Sequence, residues 1–353
     1  MEMLTRARGA LYGLAIGDAL GMPTQMLSRA EIVLRWGPLL SGFEPAPPGH
    51  TIAGGMPAGA VTDDTEQAVL LARLLVKDRG TIDPHELAAA LTKWERAMAE
   101  RGSLDLLGPS TKRAVAAILA GVPPEEAGAT GTTNGAAMRI APVGIAVPVA
   151  LHDPIPEIRL STLVDRTVMA SSVTHNTGVA LAGAAAVAAA VSAGVSGATI
   201  AEATALGIQA ARLAAGRGHW VAGADVAARI EWATGLVTSH AQVGWEAGAE
   251  PEAAELIYTL VGTSLATQES VPAAFAVLAA VPADPWRACR MAASLGGDCD
   301  TVAAMTGAIA GACHGTGSFP PEAIAVIDAQ GLGLTELAGE LLALRDTCGS
   351  EAP

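Results

Sequence analysis

The sequence predicts an all-α protein folded as one compact domain. Hydrophobic residues make up 51% of its 353 residues but aromatic residues only 3%. Ala, the best helix former, is abundant, whereas the aromatic residues that favour strands are scarce. Alternating strand patterns are almost absent, and no charged linker or shift in composition divides the chain. We therefore treat residues 1–353 as a single multi-helix domain.

The first helix is predicted over residues 3–19. Leu4, Leu11 and Leu14 lie on one face at helical spacing, and Gly21 followed by Pro23 ends the run. Further apolar runs at helical spacing predict helices over residues 65–76, 110–119, 161–172, 224–237, 251–261, 271–280, 301–312 and 335–344.

Three more helix starts are marked by capping residues. Asp83 with Glu86, and Thr199 with Glu202, follow the capping-box pattern. Asp284 precedes a proline at the first helical position. We therefore expect helices to begin at residues 84, 200 and 285.

The sequence predicts a cytoplasmic protein. Two arginines near the N-terminus precede an apolar run, but no small-residue cleavage site comes before Asp18, so this segment predicts a helix and not a signal peptide. The four cysteines show no Cys-x-x-Cys spacing, which is typical of reduced thiols. The uncharged stretch 177–201 consists mostly of Ala, Gly and Ser. It is too weakly apolar for membrane insertion and predicts a buried, tightly packed helix.

The charge balance argues against a nucleic-acid partner. The formal net charge is −14 and the pI about 4.9, whereas the phosphate backbone is bound through an excess of Lys and Arg. An acidic substrate would therefore need local donors, such as backbone N–H groups at helix N-termini.

Two short acidic clusters, residues 62–65 and 298–301, predict a dinuclear metal site. They read Thr-Asp-Asp-Thr and Asp-Cys-Asp-Thr, and each opens a predicted helix. Carboxylates and hydroxyls form the oxygen-only set that Mg²⁺, Ca²⁺ or Mn²⁺ prefers. The alternative is that these residues only cap helices and complement the helix dipole. Pairing favours the metal, because crowded carboxylates repel one another unless a cation neutralises them.

Two further features support this site. If Asp298, Cys299 and Asp300 are extended, both carboxylates point to one side and Cys299 turns away as a packing residue. The long Gly- and Pro-rich loop 41–60 runs directly into the first cluster. Loops of this length in compact domains are usually functional or disordered, and the neighbouring acidic residues favour function.

Five motifs follow one another along the chain: Gly13–Gly21 (GLAIGDALG), Val61–Ala68 (VTDDTEQA), Asn134–Pro142 (NGAAMRIAP), Val173–Asn176 (VTHN) and Leu295–Gly307 (LGGDCDTVAAMTG). In this order they resemble the ADP-ribosylglycohydrolase family, over residues 5–315. The resemblance implies an all-α single domain that removes ADP-ribose from modified side chains or related compounds, with two Mg²⁺ or Mn²⁺ ions in a central cleft.

The resemblance implies a ligand set. One ion would be held by Thr62, Asp63, Asp64 and Asp300, and the other by Asp298, Asp300 and Thr301, so that Asp300 bridges the pair. The ions would clamp the ribose diol and activate a water. The carboxylates, with Asp63, Asp64 and Asp300 in the catalytic role, would stabilise the positive charge of an oxocarbenium-like sugar.

The resemblance also implies substrate contacts at other positions. Asn134, Gly135 and Ala136 would let backbone N–H groups approach a phosphate; the alternative is a glycine-containing turn with Arg139 in a structural ion pair. His175 resembles the family's histidine near the adenosine end of the ligand, and is otherwise a core residue.

Two positions depart from the family pattern. Asp105 resembles an aspartate near the scissile bond in some members, although the spacing to the following glycine is one residue longer. Gln25 stands where many members that act on protein-linked ADP-ribose place a glutamate, and an amide cannot act as a base.

These observations predict a hydrolase of an N- or O-glycosidic bond to ribose. An ADP-ribosyl compound is the leading substrate, and an ADP-ribosylated protein is disfavoured by Gln25. The alternatives are hydrolysis of a simple ribonucleoside, and a non-catalytic ADP-ribose-binding protein.

Overall fold

The computed structural model describes residues 2–100, 108–150, 156–242 and 250–350, and it is all-α as the sequence predicts. Only two isolated bridges of strand type occur in these ranges. The helices are α1 (Glu2–Gly21), α2 (Arg29–Trp36), α3 (Asp63–Lys77), α4 (Pro84–Glu100), α5 (Pro109–Leu119), α6 (Pro124–Ala127), α7 (Gly135–Met138), α8 (Ala141–Ala146), α9 (Pro156–Ser171), α10 (Gly178–Val195), α11 (Ile200–Ala214), α12 (Val226–Gln242), α13 (Glu250–Leu256), α14 (Thr267–Ala280), α15 (Pro285–Ala293), α16 (Cys299–His314), α17 (Pro321–Asp328) and α18 (Leu334–Ser350).

Each predicted helix is found, although the one predicted over residues 251–261 is divided into α13 and a π-helical segment, Ile257–Val261. Two capping signals work as expected. Thr199 and Glu202 form a reciprocal capping box at α11, and the side chain of Asp284 accepts a hydrogen bond from the N–H of Arg287 at α15.

The capping box predicted for α4 is wrong. Asp83 does accept the N–H of His85 at 2.8 Å, but Glu86 pairs with Lys77 at the end of α3. An ammonium attracts the carboxylate more strongly than a backbone N–H does.

The apolar pattern of the sequence does not indicate the four short helices α2, α6, α7 and α8, nor α17. For α2 the sequence does contain a signal, because Ser28 and Glu31 form a capping box there. The short helices α6, α7 and α8 have four to six residues, which is too few to show a helical period.

Helix α10 forms the centre of the core. It packs against α7, α8, α9, α11, α14 and α16, and every residue from Ala180 to Val195 is buried. In the described chain it is the one helix long and apolar enough to cross a membrane, and 94% of that stretch lies inside the protein. Its composition is therefore explained by burial in the core, as predicted from its small side chains.

Among the described helices, the closest packing joins α1 to α16. Glycines of α1 face α16 with no side chain between the backbones: a Cβ on Gly13 would lie 2.0 Å from the carbonyl oxygen of Gly307, and one on Gly17 would lie 2.0 Å from that of Ala303. The same seam continues to Gly21, where a Cβ would lie 2.2 Å from the Cα of Asp300. This packing brings the end of α1 against the start of α16, where the second acidic cluster lies.

Candidate metal centre and substrate cleft

Asp18 of α1 holds the start of α3. Its fully buried carboxylate accepts the N–H of Thr62 at 2.9 Å and the hydroxyl of Thr62 at 2.8 Å. It also accepts the N–H and the hydroxyl of Thr65, at 3.1 and 2.5 Å. Asp18 thus satisfies N–H groups that a capping residue normally satisfies from within its own helix.

The capping alternative for the two clusters does not fit the structure. Thr62 and Asp298 occupy the N-cap positions of α3 and α16, and neither makes a side-chain capping hydrogen bond. The Thr62 hydroxyl donates to carboxylates, and Asp298 accepts from the side-chain amide of Asn134. These polar groups are therefore turned toward each other across the helix ends.

The two clusters meet at Asp64. Its Oδ2 lies 3.3 Å from the hydroxyl of Thr62 and 3.4 Å from that of Thr301, which joins α3 to α16. Its Oδ1 is buried and has no hydrogen-bond partner, and the same is true of Oδ1 of Asp300. Buried carboxylate oxygens without a donor are costly, and each one needs an explanation.

The electrostatics of the cluster favour the binding of a cation. Burial, together with the charges of neighbouring carboxylates, holds the pKa of Asp63, Asp64 and Asp300 well above the ordinary range. Burial also raises the pKa of Asp18 and of Asp298 to about 6. A divalent cation would remove this mutual repulsion.

The residues fit a hard metal ion by their chemistry. The cluster offers carboxylate and hydroxyl oxygens, and two of these oxygens lack donors. Within the described ranges, however, no three carboxylate, imidazole or thiolate side chains already surround a common point. Threonine hydroxyls, waters and the substrate would therefore have to complete the coordination, as Mg²⁺ commonly allows.

One expectation about the second cluster is wrong. Asp298, Cys299 and Asp300 are not extended: α16 begins at Cys299, and Asp300 lies in its first turn. Asp298 and Asp300 nevertheless line the same cleft. Cys299 is fully buried, with its Sγ 3.2 Å from the Thr24 hydroxyl, which agrees with a packing role.

Residues of both clusters line one cleft. Asp63, Asp298, Asp300 and Thr301 form the part of the lining that we call its floor, whereas Thr62 and Asp64 are buried outside the lining. The walls include Gln25, Met26, Ile52, Pro109, Thr111, Thr133, Asn134, Gly135, Met138 and Leu265.

The predicted substrate contacts are only partly at the cleft. Gln25 and Gly135 line it, whereas Ala136 and His175 are fully buried outside its lining. The backbone N–H of Asn134 is used by the carbonyl of Leu265 at 3.0 Å, so it is not free for a phosphate.

Both the side chain and the backbone carbonyl of Gln25 make hydrogen bonds. Its side-chain Nε2 lies 3.3 Å from the carbonyl oxygen of Met22, and its own carbonyl oxygen accepts from Nε2 of His50 at 3.0 Å. Ile52 of the loop 41–60 lines the cleft, and His50 of the same loop contacts Gln25. Asp105 lies outside the described residues.

Several wall residues were not anticipated. Met26 has a positive φ of 59°, a conformation that non-glycine residues rarely adopt and that is often found at functional sites. Thr133 directly precedes the predicted Asn134 motif, but Thr111 and Leu265 carried no signal. Only the folded chain brings these residues to one surface.

Comparison with known proteins shows what this chain is similar to. The ADP-ribosylglycohydrolase family model matches residues 1–351. The chain is 35% identical to the uncharacterized protein YegU of Escherichia coli (strain K12), over 92% of each chain. It is 26% identical to the ADP-ribosyl-[dinitrogen reductase] glycohydrolase of Rhodospirillum rubrum, over 92% of this chain and 90% of that one. A solved structure titled ADP-ribosylglycohydrolase-related protein complex superposes with a TM-score of 0.62 at 26% identity, covering 98% and 99% of the two chains.

Proposed function

Since the chain belongs to the ADP-ribosylglycohydrolase family and is a hydrolase of glycosidic bonds, we propose that it cleaves an N- or O-glycosidic bond to ribose in an ADP-ribosyl compound. Two Mg²⁺ or Mn²⁺ ions would be bound by the carboxylates and hydroxyls at the floor of the cleft. The observation that carries the proposal is the pair of buried, donor-free oxygens on Asp64 and Asp300 in a cluster of raised pKa values.

Each acidic cluster has a part in this proposal. Thr62, Asp63, Asp64 and Asp300 would hold one ion, and Asp298, Asp300 and Thr301 the other. When bound, the ions supply positive charge that orients the ribose hydroxyls and acidifies a water.

The side chains of the floor do the remaining work. Asp63, Asp298 and Asp300 line the cleft, so their negative charge faces the sugar and stabilises its anomeric carbon as the aglycone leaves. Water adds its oxygen to that carbon, and its proton ends on the leaving group. Asn134 holds Asp298 by hydrogen bonding to its Oδ2 and is itself 3.0 Å from the Ser270 hydroxyl. These contacts keep the carboxylate in place during the reaction.

A simple ribonucleoside is a second candidate substrate. Gln25 stands at the position where many family members that act on protein-linked ADP-ribose have a glutamate, and this difference favours a smaller substrate. In addition, the described residues that line the cleft include no Lys or Arg to pair with a diphosphate. A neutral base beside apolar walls such as Met26 and Ile52 would fit this surface.

A substrate panel tests the proposal. ADP-ribosyl-arginine, ADP-ribosyl-serine, O-acetyl-ADP-ribose and the common ribonucleosides would each be incubated with the protein and added Mg²⁺ or Mn²⁺, with Asp300→Ala as the matched control. We expect release of ADP-ribose from at least one ADP-ribosyl compound, and loss of that activity in the control. Turnover of nucleosides alone would support the second candidate. No turnover of any compound would refute both.

A further inference from the structure

A line of hydrogen bonds runs from a buried arginine to the wall of the cleft. Arg139 is 1% exposed, and its Nη2 donates to the hydroxyl oxygen of Thr174 at 2.6 Å. That hydroxyl lies 2.7 Å from Nδ1 of His175. Nε2 of His175 lies 2.9 Å from the hydroxyl of Thr133, which lines the cleft.

The arginine gives this line a direction. A guanidinium has only donors, so the Thr174 oxygen accepts, and the single Thr174 proton is available for Nδ1 of His175. A neutral imidazole that accepts at Nδ1 carries its proton on Nε2, and this proton goes to the Thr133 oxygen. The Thr133 hydroxyl then accepts from His175, and its own proton is free to point into the cleft.

A neutral His175 is what its surroundings favour. The ring is fully buried, and burial, assisted by the positive charges of Arg139 and Arg113, holds its pKa well below the ordinary value. A ring proton on Nδ1 would also leave the Thr174 hydroxyl hydrogen without an acceptor, because Arg139 and His175 are the only hydrogen-bond partners of that hydroxyl among the described residues.

The same arginine directs a second branch. Its Nη1 donates to Oε1 of Gln67 at 2.9 Å, so the Gln67 amide presents Nε2 to Oδ2 of Asp63 at 3.2 Å. Arg139 therefore orients donors toward both the floor and the wall of the cleft. Burial lowers its pKa only to about 10, so it stays charged at neutral pH.

We propose that Thr133 determines substrate specificity by donating its hydroxyl hydrogen to a substrate oxygen that can only accept. Arg139, Thr174 and His175 act as positioning residues, because they fix the direction of that hydroxyl. A phosphoryl oxygen of an ADP-ribosyl group and a carbonyl oxygen of a nucleobase share this chemistry. The choice of substrate rests on the proposed function, whereas the direction of the line does not.

The first experiment needs no substrate. ¹⁵N NMR of the imidazole nitrogens, with His175 assigned by comparison with His175→Gln, reports which nitrogen carries the proton. We expect the neutral form with the proton on Nε2 at pH 7. A proton on Nδ1, or on both nitrogens, would overturn the proposal even if the enzyme is active.

The second experiment uses the best substrate of the panel. Thr133→Val removes the hydroxyl at nearly constant shape, and we expect KM to rise roughly two- to tenfold with kcat nearly unchanged, as for one uniformly bound neutral hydrogen bond. Thr133→Ser keeps the hydroxyl and should retain the wild-type KM. An unchanged KM in Thr133→Val would refute the assignment.

A double-mutant comparison of Thr133 and Thr174 tests whether Thr174 positions the Thr133 hydroxyl or has only a structural role. In a Thr174→Val background, Nδ1 of His175 loses its donor, so Thr133→Val should have a clearly smaller effect on KM than in the wild type. Thr174→Ser, which keeps the hydroxyl, should restore the full effect and serves as the folded control. Equal effects of Thr133→Val in the Thr174→Val and wild-type backgrounds would contradict the line of hydrogen bonds.

The range of substrates affected by Thr133→Val identifies the acceptor. A rise in KM confined to ADP-ribosyl compounds identifies a phosphoryl acceptor, and one confined to carbonyl-bearing nucleosides identifies a base.

Discussion

The glycine seam between α1 and α16 makes a quantitative prediction for Gly13→Ala. A Cβ at this position would lie 2.0 Å from the carbonyl oxygen of Gly307 and 2.7 Å from its carbonyl carbon. Real Cβ atoms essentially never come closer than 3.0 Å, so the helices must separate by about 1 Å or distort. Both partners are backbone, and neither can swing aside as a flexible side chain would.

The expected cost follows from two opposing effects. Overpacking in a core usually costs about 1 to 3 kcal/mol, and backbone on both sides places this contact at the upper end. Ala is favoured over Gly inside a helix by about 1 kcal/mol. We therefore expect Gly13→Ala to lower the free energy of unfolding by about 2 kcal/mol.

Urea unfolding followed by circular dichroism measures this difference. Gly339→Ala in α18 is the matched control, because a Cβ there would meet nothing within 4 Å. The control should be stabilised by up to about 1 kcal/mol, from helix propensity alone. If Gly13→Ala proves as stable as the wild type, or shifts in the same direction as the control, the tight contact across the seam does not limit stability.

Four other predictions concern the cleft. Chelation should abolish activity while leaving most of the helical signal in circular dichroism, because the core is apolar and extensive; complete unfolding would instead make the ions structural. In Mg²⁺ titrations by calorimetry, Asp300→Ala should lose both binding events and Thr301→Ala should weaken only one, so two undiminished events in Asp300→Ala would end the bridging role. Gln25→Ala should raise KM by about tenfold or less, and Gln25→Glu should shift relative kcat/KM toward ADP-ribosyl substrates; an unchanged ranking in both variants would remove Gln25 as a specificity element. Burial lowers the pKa of His50 below its ordinary value of 6.5, so neutral His50 contributes stability that is fully present above pH 6.5 and is lost as the pH falls further. His50→Asn should therefore reduce the difference in unfolding free energy between pH 7 and pH 5, and an equal difference in the variant and the wild type would contradict this.

The fold class and the acidic clusters can be predicted from the sequence because both depend on local patterns. Helical spacing and capping residues identify α11 and α15 from a few neighbouring positions. The oxygen-only composition of residues 62–65 and 298–301 likewise signals hard-metal chemistry before any contact is known.

Other parts of the site depend on distances that no local pattern contains. The sequence indicates His175 as a possible substrate contact, and in the fold this residue is fully buried outside the cleft lining and hydrogen-bonded to Thr133. The sequence pattern also suggests an extended backbone for Asp298 and Asp300, whereas the helix already begins at Cys299. The Glu86 capping box failed for the same reason, since Lys77 of another helix supplies a better partner.

The pairing of α1 with α16 also sets the order in which the protein can fold. Helix α1 ends at Gly21 and α16 begins at Cys299, so a ribosome must deliver nearly the whole chain before the glycine face of α1 meets its partner. Closing so large a loop makes this contact slow relative to local helix formation. Until then the Ala-rich surface of α10 lacks its α16 neighbour and stays exposed to association with other chains. Asp18 of α1 holds the first acidic cluster in place, and α16 carries the second. The candidate metal centre would therefore form only after synthesis has reached α16 and the two helices have packed together.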